Sequence, residues 1–164
     1  MLCYARHGLA AAGIDNDRRM IEYATRRRCS GDSNHTSFQL ADAQHLPFTN
    51  CCFDHVSVSL ALHEKDPATR HGLLSEMKRV TREQGSLVFI DFTAPLPGNA
   101  FSYMIEIVEF FAGAEHYQWS REFRSCGGLE ALLDEHGLRE EKREYRLHGN
   151  LALVLTRNPV NGGG

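Results

Sequence analysis

Short acidic turns are the first residues of this chain whose type and placement could do chemistry. Asp15 closes the small, apolar run 10–14 and stands directly before a helical segment. A carboxylate in that place can accept hydrogen bonds from both hydroxyls of a ribose, as in many sites for nucleotide-containing cofactors. It can equally cap the helix that follows. Asp42-Ala43 ends the next apolar segment, where a carboxylate could meet an adenine amino group or close a capped turn. Where strands alternate with helices, ligands gather beyond the carboxyl ends of the strands. Residues 59–63 and 91–94 are therefore the further positions of interest.

The elements that position these residues follow from periodicity and punctuation. A helix is expected over 17–28, with Met20, Tyr23 and Ala24 on one side and Asp15 or Asn16 as its cap. Arg26, Arg27 and Arg28 suit the negative end of its dipole. Strands are expected at 37–40 and 53–62, the second with Val56, Val58 and Leu60 on one face. Asp66-Pro67 marks a helix start, and Leu73, Leu74, Met77 and Val80 form its apolar face. Gly85 ends that connection, and 86–92 reads as a strand buried on both sides. After the breaks at Pro95, Pro97 and Gly98, residues 100–111 are apolar nearly all round, with Glu106 and Glu109 as a polar edge. A helix over 128–136 carries Leu129, Leu132 and Leu133 and stops at Gly137. Strands at 139–147 and 150–156 follow, then a disordered tail, 158–164; at the other end, 1–9 reads as the end of a helix and 29–35 as a polar loop. This pattern predicts an α/β fold with a mostly parallel sheet and helices on both faces, in a single domain over 1–157.

Composition removes several function classes. Lys plus Arg (18) against Asp plus Glu (21) gives a net charge of −3, which excludes a strongly basic nucleic-acid binder. No apolar run approaches the roughly 20 residues of a membrane span, and no secretory signal is visible. The 5 cysteines (Cys3, Cys29, Cys51, Cys52 and Cys126) form no C-x-x-C pair, so reduced thiols in a cytoplasmic protein are expected. The 9 histidines show no H-E-x-x-H spacing, so no dedicated metal site is expected. Neither G-x-S-x-G nor a P-loop occurs, which removes esterase and NTP-hydrolase readings.

Order and spacing add a resemblance that covers most of the chain, roughly 9–156. Gly13-Ile14-Asp15-Asn16-Asp17 resembles the second-strand motif of class I S-adenosylmethionine-dependent methyltransferases. Leu40-Ala41-Asp42-Ala43-Gln44-His45-Leu46-Pro47-Phe48 is similar to that family's third-strand signature. Phe53-Asp54-His55-Val56-Ser57-Val58-Ser59, running to His63, resembles its fourth strand. Glu76-Met77-Lys78-Arg79-Val80 with Gly85-Ser86-Leu87-Val88 and Asp91-Phe92 resembles its following helix and fifth strand. The likeness is to the small-molecule "type 11" subgroup, which includes ubiquinone and menaquinone methyltransferases.

The resemblance implies a Rossmann-like methyltransferase sheet, S-adenosylmethionine as cofactor, and a small organic methyl acceptor. It assigns Asp15 to the cofactor ribose, Asn16 to the region beside the adenine, and Asp42 and Ala43 to the two sides of that ring. Ser59 and Leu60 would line the methionine end through backbone atoms, and His63 would be the catalytic residue, orienting or deprotonating the acceptor. Residues 93–124, with Tyr103, Phe110, Phe111, Tyr117 and Trp119, stand where the family inserts its substrate cover. A core helix or the contact of a homo-oligomer would use the same residue types.

One family feature has no counterpart before Asp15: the first strand with its G-x-G-x-G loop. That strand lies between the second and fourth, so its loss leaves their facing backbone groups unpaired. The expectation is a chain short of its first strand, and the alternative to the enzyme is a truncated, non-catalytic remnant acting as a binding module.

Overall fold

The structure, a computed structural model, describes residues 9–27 and 36–160. The expected helix end before Leu9, the polar loop at 29–35, Cys3, Arg28 and Cys29 lie outside those residues, as does 161–164. The chain divides between Pro47 and Phe48 into two compact units.

The first unit is a β–α–β run: β1 (Ala11–Asp15), α1 (Arg18–Arg27) and β2 (Thr36–Leu40). β1 and β2 pair in parallel, with Ala11 opposite Thr36 and Asp15 opposite Leu40. The cap of α1 is Asp17 rather than Asp15 or Asn16. Its carboxylate accepts the Arg19 N–H at 2.8 Å, while the Asp15 carboxylate accepts the Asp17 N–H at 2.8 Å. The inward edge of α1 is Ile21 and Ala24, both half-buried. Met20 and Tyr23 face outward, so the expected shared side is turned by one residue.

The second unit holds β3 (Phe53–Ser59), α2 (Pro67–Val80), β4 (Thr81–Phe92), α3 (Ala100–Ala112), α4 (Ala114–Ser125), α5 (Gly128–Glu135), β5 (Glu140–Arg146) and β6 (Leu151–Arg157). The strand order is β3-β4-β6-β5, with β3 and β4 parallel and the other two pairings antiparallel. The sheet is thus mixed rather than mostly parallel. Among the described residues β1 pairs only with β2, and β3 only with β4.

Leu87 and Phe89 of β4 share a face with Val154 and Ala152 of β6 and are buried. Leu73, Leu74, Met77 and Val80 of α2 and Leu129, Leu132 and Leu133 of α5 are buried as their periodicity predicts. Asp66 caps α2, its side chain accepting the Thr69 N–H at 3.1 Å ahead of Pro67, and Gly137 at φ +64° follows α5. α4 is an element the sequence reading did not separate from the cover segment.

Gly85 lies inside β4 rather than ahead of it. Thr81 pairs with Phe53 and Ser86 with His55, so the intervening residues bulge from the ladder. A Cβ on Gly85 would stand 2.8 Å from the Arg82 carbonyl oxygen and 2.9 Å from that of Asp54, which only glycine tolerates. Asn158 holds this bulge. It is buried, its side-chain amide donates to the Thr81 carbonyl at 2.8 Å, and its N–H donates to that of Gly85 at 2.9 Å. The expected disordered tail therefore does not begin at Asn158.

Arg70 ties α2 to α4. Its buried guanidinium donates to the Leu62 carbonyl at 3.0 Å, the Glu122 carboxylate at 2.6 Å and the Trp119 carbonyl at 2.9 Å, and lies over the Phe123 ring. Arg70→Lys, which keeps the charge but not the fork, is expected to cost about 2 kcal/mol in urea unfolding. A loss under about 0.5 kcal/mol would show that the fork contributes nothing.

Candidate active site

In the first unit, the ladder carries the two acidic turns to one end. The Ala41 N–H donates to the Asp15 carbonyl at 3.0 Å, so Asp42 follows just beyond the pairing of Asp15 with Leu40. Asp42 accepts the Gln44 N–H at 2.9 Å, and its side chain is exposed. Asn16 is exposed and Ala43 half-buried beside these carboxylates. Each Asp gives one oxygen to a local turn amide. A carboxylate has about four lone-pair sites, so the turn role and a ligand role are compatible. Two acceptor-only groups at adjacent strand ends fit the donor hydroxyls of a ribose and the donor amine of an adenine.

In the second unit, β3 stops at Ser59 and does not reach Leu62. Leu60 adopts φ +51°, its N–H donating to the Ile90 carbonyl at 2.8 Å. Leu60 thereby leaves the face of Val56 and Val58 and is exposed, as is Ser59. Backbone strain of this kind concentrates where a loop must present groups to a ligand.

His63 is held by Asp91, which ends the parallel neighbour strand. The imidazole Nδ1 lies 2.6 Å from Asp91 Oδ1, while Oδ2 accepts the N–H of Leu62 at 3.1 Å and of His63 at 3.3 Å. The Phe92 N–H donates to Oδ1 at 2.8 Å. Asp91 is fully buried and His63 nearly so. The other ring nitrogen, Nε2, lies 3.5 Å from Glu109 of α3, and Glu109 in turn lies 2.8 Å from Nε2 of His116 on α4. Burial opposes charge on His63, but the carboxylates of Asp91 and Glu109 outweigh it and push the imidazole up to about 9. Burial would raise Glu109; its pairing with His63 overrides that and holds the carboxyl below the usual range.

The start of α3 fixes where Glu109 stands. Asn99 and Ser102 form a reciprocal capping box, and buried Asn150 accepts the Ser102 hydroxyl at 2.6 Å and donates to Asn99 at 2.9 Å. The buried stripe of this helix is Ser102, Ile105 and Glu109, while Tyr103, Met104, Ile107, Val108, Phe110 and Phe111 are exposed. The expected polar edge is therefore half wrong: Glu106 faces outward, but Glu109 is turned into the unit to meet His63.

Asp15, Asn16, Asp42 and Ala43 thus gather at one strand end of the first unit, and in the second Ser59 ends β3, with Leu60 and His63 after it. Glu109 and His116 are the residues that sequence reasoning missed. Their available signal was a carboxylate and an imidazole, Glu109 and His116, within the aromatic-rich segment 93–124.

Strands ending on acidic turns, with helices returning between them, form a Rossmann-like fold, and solved methyltransferases share it. Solved structures with this fold include a SAM-dependent methyltransferase from Methanosarcina mazei, with TM-score 0.70 and 19% identity over 98% of this chain and 87% of that one. The N-methyltransferase NodS from Bradyrhizobium japonicum gives TM-score 0.59 and 20% identity over 90% and 72%. Residues 1–89 match the family described as Methyltransferase domain. The chain belongs to that family, within the class I S-adenosylmethionine-dependent methyltransferases. Among curated relatives, a demethylmenaquinone methyltransferase of Beutenbergia cavernae is 36% identical over 91 residues, 56% of this chain and 35% of that protein. Methyltransferase GfsG of Streptomyces halstedii is 29% identical over 133 residues, 80% and 45%. The chain spans between about a third and a half of the length of these relatives.

Proposed function

We propose that this chain carries out, or forms the core of a protein that carries out, S-adenosylmethionine-dependent methyl transfer to a small organic acceptor. The observation that carries the reading is the family match over residues 1–89, together with Asp15 and Asp42 at one end of a parallel strand pair. When bound, the cofactor supplies a methyl group already activated on a sulfonium.

The chain's own work is then to bind, orient and exclude water, which can supply much of the barrier lowering in such a displacement. Asp15 would hold the ribose hydroxyls with Asn16 beside it, Asp42 and Ala43 would flank the adenine, and the backbone of Ser59 and Leu60 would line the methionine end. His63, expected to orient or deprotonate the acceptor, has neither ring nitrogen open to it. Asp91 holds one and Glu109 faces the other, so its part would be to position the segments around the acceptor. The aromatic residues of α3 and α4 suit a bulky organic acceptor, and relatives named for demethylmenaquinone make an acceptor of that kind the first to try. No helix among the described residues is long and apolar enough to cross a membrane. We further place the working protein in the cytoplasm, without a nucleic-acid partner.

Calorimetric titration with S-adenosylhomocysteine tests the cofactor half. Micromolar binding that Asp15→Ala weakens at least about tenfold is the expected result, a carboxylate–hydroxyl pair being worth about 1.5–3 kcal/mol. A folded chain that binds nothing would sink the reading and favour the non-catalytic alternative.

A further inference from the structure

The histidine–carboxylate cluster has geometry that a proton network alone leaves unexplained. His63 follows β3, Glu109 sits on α3 and His116 on α4, and one ligand atom from each lies within 4.8 Å of the others. Ligand atoms around a tetrahedral zinc stand about 3.3 Å apart, given bonds of about 2.0–2.1 Å. Here His63 Nε2 lies 3.5 Å from Glu109 Oε1, and His116 Nε2 lies 2.8 Å from Glu109 Oε2.

Both imidazoles are oriented in the manner of metal ligands. His63 presents Nδ1 to the Asp91 carboxylate at 2.6 Å, and His116 presents Nδ1 to the Glu64 carboxylate at 3.5 Å. Each ring thus turns Nε2 toward Glu109, the carboxylate–histidine–metal arrangement that fixes the tautomer and raises the basicity of the ligating nitrogen. Moreover, Glu109 Oε2 and His116 Nε2 are buried within 2.8 Å of one another yet out of alignment, so neither has a hydrogen-bond partner. Burying a polar atom without a partner is unfavourable, and a cation between the two would satisfy both. The His116 side chain is 23% exposed, so the cluster lies near the surface although Nε2 itself is covered.

We infer that His63, Glu109 and His116 form a two-histidine, one-carboxylate site for a divalent first-row transition metal, with Asp91 and Glu64 as the carboxylates that orient the two imidazoles. Two nitrogens and one oxygen suit zinc or iron(II) better than calcium or magnesium, which prefer all-oxygen shells. The ion would pin the loop after β3 to α3 and α4. The inference is independent of the methyl-transfer reading, since metal binding is read without cofactor or acceptor.

The test uses the full chain, stripped with a chelator and then titrated with zinc by calorimetry and with cobalt(II) by visible absorption. One equivalent per chain is expected, with cobalt d–d bands of nitrogen and oxygen ligation. His116→Ala and Glu109→Gln should each weaken binding about a hundredfold, and Glu64→Gln about tenfold. Glu109→Gln keeps its volume, so it decides the matter if His116→Ala does not fold. Absence of binding overturns the site. So does affinity unchanged in these variants, or a thiolate-to-cobalt charge-transfer band, which would place the ion on a cysteine instead.

Discussion

Asp91→Ala should lose about 3–5 kcal/mol of unfolding free energy, the largest effect expected from any single substitution at this site. The carboxylate is fully buried and accepts three backbone N–H groups as well as the His63 imidazole. Alanine would leave those donors facing a void, in a place water reaches poorly. It would also leave a buried imidazole without the partner that fixes its ring. Asp91→Asn keeps the volume and one acceptor oxygen, so its loss should be roughly half. Urea unfolding followed by circular dichroism measures both. A loss below about 1 kcal/mol in Asp91→Ala would mean that water replaces the carboxylate, and that Asp91 does not organise the end of β3. The same substitution gives a second readout through His63. With its Nδ1 partner gone, the ring should exchange between tautomers and orientations, visible in imidazole nitrogen chemical shifts even where the fold survives.

Much of this arrangement was legible in the sequence because it rests on local rules. Asp66-Pro67 announced α2, and the spacing of Leu73, Leu74, Met77 and Val80 announced the face that it buries. Asp15 and Asp42 could be placed at strand ends from the turns that follow them, and parallel pairing then set them side by side. The misses have a common physical origin: each depends on contacts distant in sequence. Gly85 reads as a helix terminator, but the close carbonyls of Arg82 and Asp54 put it in a bulge. Asn158 reads as part of a loose tail until that bulge supplies carbonyls for its amide. Glu109 reads as a solvated edge because charge normally faces water. Its helix is instead set by the capping box against Asn150, which turns the stripe of Ser102, Ile105 and Glu109 inward. The partner that makes its burial tolerable, His63, is contributed by the loop after β3. H-E-x-x-H spacing would not reveal the proposed His63–Glu109–His116 site, whose residues come from three separate segments.

Stability of the metal-free chain should fall by about 3 kcal/mol as the pH rises from about 6 to above 9. The sign follows from His63. Its folded value, pushed up to about 9, lies above the 6.5 of an unperturbed imidazole, so the folded state holds this proton more tightly than the unfolded one. The contribution is complete below about 6.5 and is lost as the pH passes through 9; a shift of that size corresponds to about 3 kcal/mol at 1.36 kcal/mol per unit. Three ionisable groups face the ring: Asp91 from β4, Glu109 from α3 and His116 from α4. Glu109 acts at the other end of the scale. Its lowered value stabilises the fold above the ordinary carboxyl range and is lost as the pH falls through it, and it belongs to the same ion pair, so the two effects are not added. Urea unfolding in chelator at a series of pH values measures the slope. Glu109→Gln, by removing one of the two carboxylates, should flatten its alkaline side, and a bound divalent ion should flatten it further, because a ligating imidazole is already deprotonated. A native protein whose stability holds level from about pH 6 to 10 would show that His63 is neutral throughout. The Asp91 contact would then be an ordinary hydrogen bond, and Glu109 would sit in the unit without a charged partner on His63.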